Sequence, residues 1–331
     1  MSDERLITLR HPAGATALID ARCGGTVHRL SLVPSRDDAS PSDGRDPSSA
    51  EAILKGDEPI AADGEAACDP GLFRGRVLAP FNDRIAGGVY CWRGRQFRLP
   101  GNDPDSADAI HGFLYRRALR RSAISAASNG SSETTLELCG ALPGEEEESG
   151  YPFLLAASVV YTLQGSEFAL TVRLTNLGEE EAPVSMGWHP YIRLAAADCE
   201  PDEYLLTVPA ERFVEVDARL LPTGRTPPAT GTPFDFTSPT AIGRRALDIA
   251  FPLADDRPTV IVAGGERVVH MTMEGAFRMA QIFVPGDRDS IAIEPVSAPA
   301  NVFNRPELGM IALAAGESVT GTARLRYAER R

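Results

Sequence analysis

Short apolar runs of strand length, separated by turn residues, are the feature of this sequence that most restricts its fold. Residues 87–100 (GGVYCWRGRQFRLP) alternate apolar and polar side chains on either side of an Arg-Gly pair and predict a hairpin. Residues 123–140 (AISAASNGSSETTLELCG) repeat this plan around an Asn-Gly pair, which is typical of a tight hairpin turn. No segment shows three turns of amphipathic helical periodicity. The pattern therefore predicts an all-β fold, a large antiparallel β-sandwich.

The strand pattern continues along the chain and predicts one domain over residues 1–331, with two interruptions. Residues 34–52 are rich in Ser, Asp and Pro and predict a mobile surface loop. The glutamate run at 144–150 predicts an exposed acidic loop. We expect a three-stranded meander within 153–190, and further strands at 203–209, 211–216, 258–263, 266–274, 277–284, 290–295 and 318–328.

The charge balance restricts the kind of partner that this chain can bind. With 46 acidic and 33 basic residues, the formal net charge is -13 at pH 7. Nucleic acids and anionic membrane surfaces are polyanions, so this balance argues against both and favours a small or neutral ligand. The first ten residues lack the basic and apolar regions of a signal peptide, and no apolar run is long enough to cross a bilayer. We therefore expect a cytoplasmic protein, and the sequence leaves its oligomeric state open.

The cysteines and the lysine exclude several kinds of chemistry. Lys55 is the single lysine and lies in a polar stretch, which argues against Schiff-base catalysis. No CxxC or zinc-ligand spacing occurs, and we expect no metal site. Scattered cysteines in odd number favour free thiols in a reducing compartment. The five residues concerned are Cys23, Cys68, Cys91, Cys139 and Cys199.

Glu294 is unusual because a carboxylate there follows residues 291–293, which have the composition of a buried strand. Pro295 comes next, and since a proline cannot donate to the ladder, we expect the strand to end there. A carboxylate at a strand end, partly removed from water, has a raised pKa and suits general-base work. The alternative is an ion pair with an arginine at the rim of the sandwich.

Two histidines lie in similarly apolar settings. His189 lies between a tryptophan and a proline in MGWHPYIRL, and His111 precedes a glycine in DAIHGFLYRRALR. Imidazole titrates near neutral pH, so each is either a hydrogen-bonded core residue or a proton carrier in a pocket. Metal binding by the pair has no support from HxH or HxxxH spacing. A third polar cluster precedes a Gly-Gly turn and consists of Asn82, Asp83 and Arg84.

Taken in chain order, these stretches and several others resemble the motifs of the aldose 1-epimerase (galactose mutarotase) family. The resemblance covers roughly residues 14–328, and eight segments in one order indicate the family more strongly than any single segment. They are RVLAPFNDRIAGGVYCWRGRQFRLPGN (76–102), IHGFLYRRALR (110–120), SGYPFLLAASVVYTL (149–163), GWHPYIRL (187–194), LLPTG (220–224), ALDIAFPL (246–253), IAIEPVSAPANVFN (291–304) and LAAGES (313–318).

The resemblance implies a galactose mutarotase-like supersandwich with a shallow sugar cleft on one face. It also implies an isomerase of carbohydrate metabolism that binds a small-molecule sugar and uses no cofactor. Carried over by position, Glu294 is the catalytic base and His189 the catalytic acid, Arg84 and His111 fall on sugar-binding positions, and Asp248 on a hydroxyl-binding carboxylate. A base and an acid beside a cyclic hemiacetal can open the ring and close it on the other face, which interconverts the α and β anomers.

Two positions depart from the family pattern, and both could change the sugar that is accepted. The usual Asn-Arg-Ile is here Asn-Asp-Arg-Ile, so that Asp83 takes the place just before Arg84, and Leu119 lies near the position of a missing tryptophan. A stiff, partly apolar wall that fixes the catalytic imidazole and faces the sugar would be formed by Trp188, Pro190 and Tyr191.

Three other functions remain open from the sequence. A hexose-6-phosphate 1-epimerase needs a cationic phosphate pocket, which could come from Arg93, Arg95, Arg98, Arg116 and Arg117. A non-catalytic sugar-binding or regulatory protein could use the same sandwich without turnover. A glycoside hydrolase or lyase would need a second catalytic carboxylate, for which Asp248 is the candidate.

Overall fold

The structure is a computed structural model that describes residues 6–36, 49–59, 68, 71–126, 133–143, 150–194 and 199–330. These residues form β-strands and short 3-10 turns, and no α-helix occurs among them. The expected all-β class is thus confirmed. Within the same part of the chain, no helix has the length and apolar character that a membrane span needs.

The described strands follow one another from the first sheet to the last long strand of the chain. They are β1 (Leu6–Arg10), β2 (Thr16–Asp20), β3 (Thr26–Leu32), β4 (Ser35–Arg36), β5 (Glu51–Ala52), β6 (Val77–Leu78), β7 (Arg84–Ile85), β8 (Val89–Trp92), β9 (Arg95–Arg98), β10 (Ala109–Ile110), β11 (Arg120–Ser125), β12 (Thr134–Leu142), β13 (Leu155–Leu163), β14 (Glu167–Asn176), β15 (Ala182–Val184), β16 (Gly187–Trp188), β17 (Tyr191–Ile192), β18 (Leu205–Thr207), β19 (Thr240–Ala241), β20 (Asp248–Pro252), β21 (Thr259–Gly264), β22 (Arg267–Gly275), β23 (Met279–Phe283), β24 (Ile291–Val296), β25 (Ile311–Leu313) and β26 (Ser318–Glu329). The 3-10 turns are Ala21–Cys23, Ala86–Gly88, Leu114–Arg116, Pro201–Glu203 and Pro306–Leu308.

The larger sheet has ten strands within the described residues. Their order is β11-β12-β13-β14-β26-β22-β21-β18-β19, and β4 lies parallel to β26 at one side. Alternation explains the central strand β13, because every second side chain from Leu155 to Leu163 is buried. The two hairpins predicted from the sequence are confirmed, since β8 pairs with β9 and β11 pairs with β12.

The smaller sheet carries the candidate site on one of its faces. Its order is β20-β23-β24-β16-β6, and β17 also pairs with β24. The other face packs on the larger sheet, where Phe168 of β14 lies 6.0 Å from Trp188 of β16 between ring centroids. The main hydrophobic core contains residues from Ile7 to Tyr327. The single domain over residues 1–331 stays a prediction. A separate four-stranded sheet, β1-β2-β3-β5, completes the amino-terminal part.

The third strand expected in the 153–190 meander does not pair with its predecessor. β15 pairs with β25 instead of with β14. Asn176, the last residue of β14, donates its side-chain amide to the carbonyl oxygens of Glu180 and Leu313. These bonds hold the turn after β14 against β25, so the chain leaves the larger sheet at that point.

Residues 211–216 do not form the expected strand. They make isolated bridges, in which Arg212 pairs with Pro228 and Val216 pairs with Pro222. Both partners are prolines, which lack the N–H group that a continuous ladder needs. The segment therefore stays an irregular arm, and Val214 donates its amide to the carbonyl oxygen of Ala250 at the edge of the smaller sheet.

The expected end of the strand at Pro295 is also wrong, because β24 continues to Val296. Ile293 donates its amide to the carbonyl oxygen of Pro190, between β16 and β17. Amides two residues apart in a strand point to the same side, so the nitrogen of Pro295 also faces the β16–β17 segment. The neighbouring strand is interrupted there, between β16 and β17, and the missing donor costs little.

Most of the predicted loop at 34–52 lies outside the described residues, as do residues 144–149 of the acidic loop. Both flanks of the first segment belong to sheets. β4 pairs with β26, and β5 pairs with β3. The mobility of residues 37–48 therefore stays a prediction.

The expectation of five free thiols is wrong for one pair of cysteines. Cys23 and Cys68 form a disulfide, with their Cα atoms 5.3 Å apart. The sequence gives no sign of this, because the fold brings the turn after β2 next to a segment 45 residues away. Free thiols remain at Cys91, Cys139 and Cys199. The cytoplasmic location stays a prediction, and it loses the support that five free thiols would have given.

Candidate active site

The two residues predicted to transfer protons face each other across adjacent strands of the smaller sheet. Gly187 pairs with Val296, and Tyr191 pairs with Ala292. In an antiparallel register, the position midway between these pairs brings His189 opposite Glu294. The Nε2 atom of His189 lies 3.4 Å from Oε1 of Glu294. Strand pairing thus joins two groups that are far apart in the sequence.

Glu294 is a buried carboxyl group with an imidazole as its neighbour. It is 3% exposed. Burial raises the pKa of Glu294 well above its usual value, and the charges of Asp83 and Asp248 raise it further, against a smaller opposing effect of Arg84. The titratable side chain that lies within 4 Å of the carboxyl group is His189 rather than an arginine at the sandwich rim.

The His189 imidazole is held against a tyrosine ring. The rings of His189 and Tyr191 are parallel, with centroids 4.9 Å apart, and the Tyr191 hydroxyl donates to the carbonyl oxygen of Leu72 at 2.7 Å. Burial lowers the pKa of His189 to about 3. Tyr191 therefore packs against the imidazole as predicted, whereas Trp188 does not, because strand alternation directs it into the core against Phe168.

His111 reaches the same place from the turn after β10. Its ring lies edge-on to that of His189, with centroids 5.3 Å apart. The next residue, Gly112, has φ 67, and a Cβ there would lie 2.1 Å from the carbonyl oxygen of Ala79. Only glycine fits this close approach of two backbones, which explains the His-Gly pair in the sequence.

His111 is a neutral hydrogen-bond donor. Burial lowers its pKa well below the usual value, and the charges of His189 and Arg84 lower it further. Its Nδ1 atom accepts a hydrogen bond from the backbone amide of Asp83 at 3.1 Å. The proton of the neutral ring is therefore on Nε2.

Arg84 begins β7 and is held by two carboxylates. Its Nε donates to Oδ2 of Asp103 at 3.1 Å, and its Nη1 lies 3.3 Å from Oδ1 of Asp83. These bonds fix the plane of the guanidinium group. The positive charge of Arg84 favours the ionised form of Glu294.

Asp248 begins β20 and is linked to Glu294 through one intervening strand. Its Oδ1 accepts a hydrogen bond from Nε2 of Gln281 at 2.6 Å, and Gln281 on β23 pairs directly with Glu294 on β24. Burial and the charge of Asp83 raise the pKa of Asp248 to about 6. The three polar side chains therefore lie on one face of the sheet, on neighbouring strands.

All the site residues predicted from the sequence lie together: Glu294, His189, Arg84, His111 and Asp248. Sequence reasoning missed two others. Gln281 interrupts an apolar strand, which is the same signal that identified Glu294. Asp103 lies in a polar turn and gives no comparable signal, because only its contact with Arg84 connects it to the site.

Leu119, which stands near the missing tryptophan, is 6% exposed and belongs to the main hydrophobic core. It therefore packs within the sandwich.

Two of the arginines considered for a phosphate pocket are occupied elsewhere. Arg93 pairs with Glu181, and Arg95 pairs with Glu180, near the β8–β9 hairpin. The four side chains are exposed or partly exposed.

The arrangement suits proton transfer to and from a polyhydroxylated ligand. A carboxyl group and an imidazole lie side by side, donors stand on one wall, and the Asp248 carboxyl group can accept from a hydroxyl. In the part of the chain that the structure describes, no group of three or more His, Cys, Asp or Glu residues could hold a metal ion.

Comparison with known proteins points to one family. The family model for aldose 1-epimerase matches residues 62–326. The protein YihR of Escherichia coli is 31% identical over 234 residues, which cover 70% of this chain and 71% of that protein. The galactose mutarotase of Sus scrofa is 32% identical over 175 residues, which cover 51% of this chain and 47% of the mutarotase. The match thus spans about half the length of that curated mutarotase.

Solved structures show the same architecture over nearly the whole chain. A galactose mutarotase-like protein from Clostridium acetobutylicum superposes with a TM-score of 0.78 at 21% identity and covers 96% of this chain and 93% of its own. A galactose 1-epimerase from Lactobacillus acidophilus gives a TM-score of 0.76 at 17% identity, covering 98% and 95%. At these identities the likeness is one of fold, and it confirms the expected supersandwich.

Proposed function

The chain belongs to the aldose 1-epimerase family and is an isomerase, and from this premise we propose that it interconverts the α and β anomers of a free, uncharged aldose. In this proposal Glu294 is the base and His189 is the acid. The observation that carries it is the 3.4 Å separation of His189 Nε2 and Glu294 Oε1 within one buried site. Two oxygens bonded to one carbon, as in a hemiacetal, can be reached together by such a pair.

The pKa shifts of the pair support this chemistry through the number of protons that it holds. Burial opposes charge on both groups, so the pKa of His189 falls to about 3 and that of Glu294 rises well above its usual value. Between these limits the pair holds one titratable proton, whichever group carries it. Anomer exchange needs one group that can give a proton and one that can accept it, which is the singly protonated pair.

Ring opening then follows from two proton transfers. Glu294 takes the proton of the anomeric hydroxyl, His189 gives a proton to the ring oxygen, and the bond from C1 to the ring oxygen breaks. The open-chain aldehyde rotates about its C1–C2 bond and presents the other face of the carbonyl. The reverse transfers close the ring in the opposite configuration. The pair ends with the proton count with which it began.

Three further side chains are proposed to bind the sugar. Arg84 and His111 have N–H groups that can donate to ring and hydroxyl oxygens. Asp248 can accept from a hydroxyl, and the bond from Gln281 at 2.6 Å fixes its orientation. Fixed partners of this kind lower the entropy lost when a flexible ligand binds.

The charges around the site favour a free aldose over a phosphorylated one. Arg84 is surrounded by four carboxyl groups, those of Asp83, Asp103, Asp248 and Glu294. A phosphate near them would meet like charge, which weakens binding. The exposed pairs of Arg93 with Glu181 and of Arg95 with Glu180 also leave those guanidinium groups neutralised.

An anomerisation assay across free and phosphorylated aldoses tests the proposal. Pure α anomers are dissolved with and without the protein, and the exchange is followed by polarimetry or by NMR. We expect acceleration over the spontaneous rate for at least one free aldose and a lower kcat/KM for the 6-phosphates. Sugar binding without acceleration would identify a binding protein, and a preference for 6-phosphates would identify the phosphate epimerase.

A further inference from the structure

Asp83 takes the place just before Arg84, where the sequence departs from the family motif, and contacts both residues proposed to donate to the sugar. Its backbone has φ 58, in the left-handed region that Gly, Asn and Asp adopt more readily than other residues. Its side chain is 16% exposed. A carboxylate so far removed from water needs compensating hydrogen bonds. The bonds that Asp83 makes connect it to Arg84 and to His111.

The backbone of Asp83 fixes the position and tautomer of His111. The Asp83 amide donates to Nδ1 of His111 at 3.1 Å, and the His111 amide donates to the Asp83 carbonyl oxygen at 3.1 Å. A ring nitrogen that accepts a hydrogen bond carries no proton, so the neutral imidazole keeps its proton on Nε2. The Nε2–H group is therefore the one that His111 can offer to a substrate oxygen.

The carboxylate of Asp83 fixes the neighbouring guanidinium group. Its Oδ1 accepts from the Arg84 backbone amide at 2.7 Å and lies 3.3 Å from Nη1 of the same residue. Asp103 accepts from Nε at 3.1 Å. Two carboxylates bound to different nitrogen atoms set the plane of the guanidinium, so less rotamer freedom is lost when a substrate binds.

The charge of Asp83 also acts on the proposed base. The titratable and charged groups that face Glu294 from the neighbouring segments are Asp83, Arg84, His189, Tyr191 and Asp248. Asp83 and Asp248 disfavour the ionised form of Glu294, and Arg84 favours it. Removal of the Asp83 charge should therefore lower the pKa of Glu294, a change that a purely structural turn residue would not produce.

We propose that Asp83 is a positioning residue: its carboxylate holds Arg84 and its backbone holds His111, as two fixed N–H donors on one wall of the cleft, and this strengthens the binding of the sugar. This inference rests on the proposed sugar-binding function of the cleft. If the Asp83 carboxylate only shaped the turn, its removal would leave Arg84 and the sugar affinity unchanged. Because Asn and Gly also adopt the left-handed region, Asp83→Asn and Asp83→Gly change the side chain and keep that conformation accessible.

The two variants separate charge from contact. Asp83→Asn keeps an oxygen that can accept from the Arg84 amide and removes the charge, and Asp83→Gly removes both. The matched control is Glu180→Gln, whose carboxylate pairs with Arg95 on exposed side chains. We expect Asp83→Gly to raise KM for the aldose and the Kd from NMR titration about tenfold, with a smaller loss in kcat. Asp83→Asn should give a smaller rise, and both should move the alkaline limit of kcat to lower pH.

Unchanged KM, Kd and pH limits in both variants, matching the control, would overturn the inference and leave Asp83 as a turn residue. If Asp83→Gly fails to fold, Asp83→Asn alone decides through its pH limit and Kd. Two readouts do not need turnover, so a failure of the proposed isomerase activity is distinguishable. These readouts are the Kd and the nitrogen-15 chemical shifts of His111. A proton on Nδ1 of His111 in the unmodified protein would contradict the inference that its Nε2–H group is the fixed donor.

Discussion

Replacement of Glu294 by glutamine removes a proton acceptor and almost nothing else. The two side chains have the same shape, and Glu294 is 3% exposed, so the packing around position 294 is kept. The amide still reaches Nε2 of His189, which lies 3.4 Å from the carboxyl oxygen. An amide cannot take the proton of an anomeric hydroxyl, however. We therefore expect Glu294→Gln to abolish anomer exchange while it leaves the fold intact.

The magnitude follows from the closed position of the carboxyl group. A positioned proton-transfer group contributes ~10²–10⁴-fold to a rate, which corresponds to ~3–5 kcal/mol of activation free energy. Because the Glu294 and His189 side chains are almost fully buried, water has little access to the position of the lost base. We expect a loss in kcat near the upper end of this range, with a change in KM of less than about threefold.

Stability should change in the opposite direction to activity, and its pH dependence has a definite sign. The pKa of Glu294 is raised in the folded state, so the native protein binds this proton more tightly than the unfolded chain. The stabilisation is present below the unfolded pKa and is lost as the pH rises towards the folded value. Glutamine does not ionise and avoids this loss. Glu294→Gln should therefore gain stability relative to the unmodified protein as the pH rises above the usual range of a glutamate carboxyl group.

The assay combines exchange spectroscopy of the anomers with urea unfolding at several pH values. The control is Glu180→Gln, an exposed carboxylate in an ion pair with Arg95, which should change neither property by much. Exchange by Glu294→Gln at the unmodified rate would remove Glu294 from the mechanism. A stability difference that is independent of pH would show that the carboxyl group is not perturbed by burial.

Three further predictions concern other features of the same site. The exchange rate should depend on pH through His189 and Glu294. It should fall at low pH, where His189, with its pKa of about 3, gains a proton, and again above the usual glutamate range, where Glu294 loses its proton. A plot of kcat against pH with a single limit near 4.5 would argue against a shared proton. Asp248→Asn should raise KM about tenfold. Because the pKa of Asp248 is raised to about 6, the unmodified protein loses stability as the pH rises from 4 to 7, and Asp248→Asn should gain up to ~3 kcal/mol relative to it over this range. Urea unfolding measures this difference, and an equal effect at both pH values would refute the prediction. Gly112→Ala should lower stability by more than ~2 kcal/mol and impair sugar binding, because its Cβ would lie 2.1 Å from the Ala79 carbonyl oxygen. The control Gly87→Ala, with φ 60 and no atom within 4 Å of the added Cβ, should cost only ~1 kcal/mol. Thermal unfolding of the two variants measures both effects.

Much of the candidate site could be anticipated from residues near one another in sequence. Glu294 interrupts an apolar strand, and a charged residue in such a position indicates a special environment whatever the fold. His189 and His111 lie in apolar segments next to glycine or proline, and the order of motifs along the chain connected them to a family. Gln281 carries the same kind of signal and was missed because a single amide in a strand is easily satisfied by the backbone.

Other features depend on contacts between distant segments, and local patterns do not contain them. The pairing of β15 with β25 follows from the bonds of Asn176 to a turn and to a distant strand. The disulfide between Cys23 and Cys68 joins segments whose approach no spacing rule predicts. The direction of Trp188 into the core is set by which face of the smaller sheet packs on the larger one.

By itself, the sequence determined that the chain forms strands, where most of them lie and which polar residues interrupt them, because side-chain alternation and turn chemistry act over a few residues. Only the tertiary structure decided the register that sets His189 opposite Glu294 and brings Asp83, Arg84 and Asp248 around them. The physical reason is that hydrogen bonds between strands and the burial of a shared site depend on segments far apart in the chain. The perturbed pKa values that make the pair a candidate for proton transfer arise from that convergence.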